Sequence, residues 1–181
     1  MRKPHSVKAL EALGRVRLSE NFFLRDFLYS EIAAINGFTN VPDDPDLAIA
    51  AGTALCETLL EPLQARFGRL SIRSAYRSPE VNQFGNEHKL NCAVNESNYA
   101  GHIWDRRDAN GRMGATACII VNRFIPYYQR TGDWEAMAWF VHDHLPYSDM
   151  EFFPKFAAFN LQWHEAPERS TYSSSPPGAA G

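Results

Sequence analysis

The chain has 181 residues, the length of one domain able to bury a core without disulfide or metal staples. Its 45% apolar and 13% aromatic content excludes a disordered chain, and a net charge of -3 gives no basic footprint for nucleic acid. No run of about eighteen apolar residues exists that would span a membrane. The basic start, Met1-Arg2-Lys3-Pro4-His5, leads into no apolar signal stretch, so synthesis in the cytoplasm is expected. The three cysteines, Cys56, Cys92 and Cys118, are too few and too scattered for a disulfide framework. Cys56 falls in a helical pattern and reads as a small core residue.

Residues 1–17 read as an N-terminal extension, and Ser19 is placed to cap a short helix. Leu24, Phe27, Leu28 and Ile32 at helical spacing predict a helix from Leu24 to Ile35, stopped by Asn36-Gly37. A turn at Pro42 to Asp46 leads into the longest helix, marked by Leu47, Ala51, Leu55 and Leu59 and ending near Phe67-Gly68. Leu70, Ile72 and Ser74 alternate as a half-buried strand does. Asn82 to Gly101 reads as a long polar loop. Ala117 to Val121 predicts a buried strand, and Trp134, Met137, Ala138 and Val141 an amphipathic helix ending before Pro146. Met150 to Phe153 and Phe159 to His164 read as strands, and 169–181 as a flexible tail. Helices first and strands later predict an α+β domain over 18–168, with N-terminal helices packed on a small antiparallel sheet.

The stretch Ser74-Ala75-Tyr76-Arg77-Ser78-Pro79-Glu80-Val81-Asn82, with Trp163-His164 near the end, resembles the Ser-x-Tyr-Arg-Ser-Pro-x-x-Asn segment and closing Trp-His of M15-type zinc D-Ala-D-Ala peptidases. The resemblance covers roughly residues 18–166 and implies a Hedgehog/DD-peptidase-like fold. It implies a zinc-dependent hydrolase acting on D-Ala-containing bonds of a peptidoglycan stem peptide. With no export signal, such a protein would reach the wall after lysis or as part of a phage particle, among phage tail proteins. The alternative on the same fold is a non-catalytic peptidoglycan-binding or phage-particle structural protein.

By that resemblance His102 is the first zinc ligand and His164 the last. On an alternating strand His164 shares its face with Asn160 and Gln162, opposite Phe159, Leu161 and Trp163. The family's aspartate ligand falls at Ala109, one residue past Asp108. Asp108 is preferred as second ligand, because His-Asp-His leaves a zinc-bound water acidic enough to act near neutral pH. Asp105 is a rival, and so is Cys118 in a second frame, where Gly114-x-Thr116-x-Cys118 replaces Gly-x-Ala-x-Asp. A solvated charged turn over 105–108 remains open beside these. Glu151 is the candidate general base and Glu165 the weaker choice. Arg77 is expected to take the substrate's C-terminal carboxylate through its planar fork, with Tyr76 and Asn82 supporting the turn. His142 and His144 diverge around a helix and read as helix-end residues. His5 and His88 have no nameable partners.

Overall fold

The computed structural model of the chain describes residues 1–173. Mixed helices and one five-stranded sheet make it α+β. The strands β1 (Leu70–Ser74), β2 (Gly114–Val121), β3 (Asp149–Phe153), β4 (Ala158–His164) and β5 (Ser170–Ser173) lie in the order β1-β2-β4-β3-β5. The first four pair antiparallel, while β5 joins β3 in parallel. Alternation gives the sheet two unlike faces. Ala115, Ala117, Ile119, Leu161, Met150 and Phe152 point into the core, where the long helix packs across them.

That helix runs as α3 (Pro45–Leu55), a π-type turn at Cys56–Leu60, and α4 (Glu61–Phe67). Asp44 caps its start at Leu47 N, with Pro45 in the first turn. Pro62 lacks the N–H that an α-helix needs, which accounts for the widened turn just before it. Its buried line includes Ala51, Leu55 and Leu59, as the spacing predicts, and Cys56 lies in the core with burial pushing its thiol upward. Gly52 lets the fully buried Trp104 approach: a Cβ there would meet the indole at 2.7 Å.

Several local readings change. Residues 7–14 of the extension form α1 (Val7–Gly14), with Leu13 buried in the core. Ser19 caps no helix; its hydroxyl donates to Glu61 instead. The single helix expected over Leu24 to Ile35 is two pieces, a 3-10 turn at Leu24–Phe27 and α2 (Glu31–Asn36). Ser30 causes the break by capping α2 at Ala33 N, and Gly37 ends it at φ 72°. The expected loop after Asn82 holds α5 (Pro79–Glu87) and the short α6 (Asn95–Asn98). Ser78 caps α5 at Val81 N with Pro79 at its first position, so the motif's Ser-Pro is also a helix start. The chain then continues through α7 (Ile125–Thr131) and α8 (Glu135–His144). Residues 170–173 of the expected tail are β5, held where Ser170 donates to Asp149. Residues 174–181 lie outside the described part.

Candidate functional site

The polar face of the sheet carries a cross-strand row. Ser74 lies opposite Cys118, Cys118 opposite Asn160, Asn160 opposite Glu151, and Glu151 opposite Tyr172. Directly paired residues share a face, so these five side chains line one band across the sheet. A register shift between Ile72 and Ser74 leaves Arg73 as the extra residue of β1. Its guanidinium lies 4.2 Å over Phe156 and is near enough to Cys118 to favour its thiolate. Burial raises the Cys118 thiol above its usual value, against the pull of Arg73 and Ser74. Glu151, the expected base, stands in this row, with Tyr172 Oη 3.5 Å from it. Burial, with Asp149 and Glu151 nearby, pushes the Tyr172 hydroxyl up to about 12.

At the end of β1 the chain turns through Ala75, Tyr76 and Arg77. Tyr76 points away from the polar face: it is fully buried beside Trp104, and its hydroxyl donates to Asp105 Oδ1 at 3.1 Å. Its backbone is tied to Phe27 O and by Asn40 Nδ2. Tyr76 therefore holds the turn and does not line the site. Arg77 N donates to His102 O at 2.9 Å, which locks the turn to the 98–103 segment. The Arg77 side chain has one long contact, Nη2 to Asn98 Oδ1 at 3.5 Å, and its buried Nε has no partner among the described residues. Burial holds the guanidinium below its ordinary value, opposed by Cys92 and Cys118. Asn82 is buried and donates to Ala93 O and Asn95 Oδ1, steadying the segment that carries Asn98.

His102 is buried, and its Nδ1 lies 2.7 Å from Ala75 O. A carbonyl acceptor makes Nδ1 the protonated nitrogen, and the Asn160 side chain lies close enough to the ring to favour its charged form. Burial, with Arg77 adjacent, lowers its pKa to about 3. Below pH 6.5 the unfolded imidazole takes up a proton that the folded one refuses, so stability falls as pH falls, by about 1.4 kcal/mol per unit down to pH 3. Urea unfolding at pH 5 is expected to give about 2 kcal/mol less stability than at pH 7 from this residue alone. A His102→Asn variant, whose amide still reaches Ala75 O, should lose that part of the pH dependence; equal slopes in both proteins would refute the assignment.

The structure puts His164 elsewhere. Its Nε2 lies 2.9 Å from Asp108 Oδ2, so the preferred second ligand and the last ligand do meet. Asp108 Oδ1 meanwhile accepts from the backbone of Asn110 and Arg112, and the Arg112 bond leads the causes that hold its carboxyl low. His164 is paired with Gly114 at the far end of the ladder, four residues beyond Asn160, or about 13 Å of strand. Between them Gln162 donates to Ala100 O at 2.8 Å. His102 sides with Asn160 and His164 with Asp108. Among the described residues no three His, Cys, Asp or Glu side chains gather to hold one metal ion.

The rivals sort out in the same way. Asp105 is buried and accepts from Asp43 N, Asp44 N, Tyr76 and Arg106, so its oxygens are committed to the fold. Cys118 is on the polar row with His102's partner Asn160 beside it, but Asn160 is a neutral amide where a third ligand would have to stand. Glu165 accepts from Met113 N at 2.6 Å and faces Arg107. His142 and His144 occupy the last turn of α8, with Nδ1 bonded to Tyr147 Oη and Phe140 O respectively. A zinc centre with three protein ligands and an open position does not fit these donors. Three site residues escaped the sequence reading: Asn160, Asn98 and Arg73. Only Asn160 left a signal, its place on the His164 face of the alternating strand.

Comparison with family models, with curated proteins and with solved structures gives no match.

Proposed function

We propose that this chain is a non-catalytic binding protein on a Hedgehog/DD-peptidase-like scaffold, taking the free carboxylate of a peptide, such as a peptidoglycan stem peptide, at Arg77. One observation carries the reading: a guanidinium pressed beside the polar row, its Nε buried and without a partner among the described residues. A buried donor left unsatisfied costs about 1–3 kcal/mol, and a carboxylate meeting the fork restores the missing bond. The resemblance over residues 74–82 supports a D-alanine carboxylate as that anion.

Calorimetry with a pentapeptide ending in D-Ala-D-Ala tests this. The free acid is expected to bind and its C-terminal amide to bind at least about 100-fold more weakly. Arg77→Ala should lose the same factor while folding normally, since its side chain anchors little else. Arg77→Lys, which keeps charge but not the fork, should fall between. Equal binding of acid and amide would sink the reading.

A zinc peptidase is the second reading, favoured by the carbonyl-anchored His102, an arrangement common to metal-binding imidazoles. It requires about one equivalent of zinc that His102→Ala and His164→Ala both remove. Protein purified with zinc present is expected to hold far less than one equivalent. Stoichiometric zinc together with hydrolysis of the pentapeptide would favour the enzyme.

A further inference from the structure

On the side of the sheet away from Arg77, α8 and the start of β5 enclose a cavity of about 350 Å³, within the range of small-ligand sites. Strand alternation puts Thr171 on this side, since Ser170 and Tyr172 face Asp149 and Glu151. The floor is Tyr147, fully buried, whose hydroxyl meets His142 Nδ1 at 2.9 Å, Thr171 Oγ1 at 2.6 Å and Arg169 O at 3.2 Å. That network fixes the His142 ring and leaves its Nε2 without a partner among the described residues. The indoles of Trp134 and Trp139 line the cavity too. Trp134 is backed by Phe152, at 5.5 Å and 17° between ring planes, while Trp139 is 62% exposed. Two indoles together at one cavity give flat faces on which a ring can stack.

The lining selects the ligand. Arg169 closes one end: its guanidinium lies 5.2 Å over the Tyr147 ring and donates to the carbonyls of His142, in α8, and Leu145, just after it. The fixed positive charge of Arg169 in the lining repels a second cation and leaves the indole faces to an uncharged ring. Glu135 contributes an acceptor and Arg169 a donor, and the polar atoms of His142 and Thr171 stand beside the indoles. A ring with apolar C–H faces and hydroxyls that both donate and accept fits such a rim. We propose that this cavity is a saccharide-binding subsite that stacks a pyranose ring on Trp139. This site shares no residue with the Arg77 site.

Chitotetraose, an uncharged β-linked oligomer of N-acetylglucosamine, is the probe, titrated into the full chain and followed by tryptophan fluorescence and calorimetry. Saturable binding with a dissociation constant of about 1 mM or tighter is expected. Trp139→Ala should weaken it at least about tenfold by calorimetry, which does not depend on the lost fluorophore. Thr171→Val, which spares both indoles, should weaken it as well, and Arg77→Ala should leave it unchanged. The proposal fails if no saturation occurs by about 10 mM, if Trp139→Ala binds like the wild type, or if choline chloride saturates the site in place of the sugar.

Discussion

Gly114→Ala is expected to destabilise the protein by about 3 kcal/mol or more, a larger loss than ordinary overpacking because the obstacle is backbone. A Cβ at this position would lie 2.0 Å from Ala100 O and 2.9 Å from His164 Cδ2. The carbonyl cannot swing aside. It already accepts from Gln162 Nε2, and Ala100 sits at φ 57°, a left-handed conformation costly for a residue with a Cβ. Thr116 N also donates to Gly101 O, so the 98–103 segment is pinned to β2 where β1 has ended. Pushing that segment away strains the bond from Arg77 N to His102 O and should weaken peptide binding along with stability. Urea unfolding of wild type and variant measures the first effect, and calorimetry at a temperature where both are folded measures the second. A loss below about 1 kcal/mol would mean that the segment gives way freely and positions nothing.

The two faces of the sheet were legible in the sequence, because alternation from Phe159 to His164 assigns every residue a side. Which residues meet across strands was not. Register decided that Asn160, not His164, stands level with Cys118 and Glu151 and near His102, and no single strand carries its own register. The Asp108–His164 contact was anticipated as half of a metal site and is present as a pair without His102. Other misses came from residues with two roles. Ser78-Pro79 serves a motif and also caps a helix, so a reading that stopped at the motif took α5 for loop. Ser30 lies within an apolar period that runs straight through it, yet its hydroxyl ends one helical segment and starts the next. β5 has no apolar alternation; its ladder with β3 and its bond from Ser170 to Asp149 are supplied by the rest of the fold.

Asp105, a rival for zinc in the sequence reading, is expected to be worth more to stability than any other single carboxylate in the site. Its side chain is 0% exposed. One oxygen accepts from Asp43 N at 2.7 Å and Asp44 N at 3.3 Å, closing the turn that starts the long helix; the other accepts from Tyr76 Oη. Burial still raises its pKa, ahead of the donors and Arg106 that pull it down, so the carboxylate is only partly compensated for leaving water. Asp105→Ala removes that cost but strands three donors, those of Asp43 N, Asp44 N and Tyr76 Oη, while Arg106 keeps Asp43, for a net loss of about 3 kcal/mol. Asp105→Asn keeps an acceptor for the two backbone N–H groups and turns its N–H₂ to the Tyr76 oxygen, which can accept it, so no more than about half that loss is expected. Because Tyr76 immediately precedes Arg77, both variants should also weaken carboxylate binding in the order Ala then Asn, with no change in metal content. Chelator-insensitive unfolding that shifts as stated would fix Asp105 as the brace of the arginine turn. A variant that unfolds like wild type but loses bound zinc would return it to the ligand set and overturn the structural role assigned here.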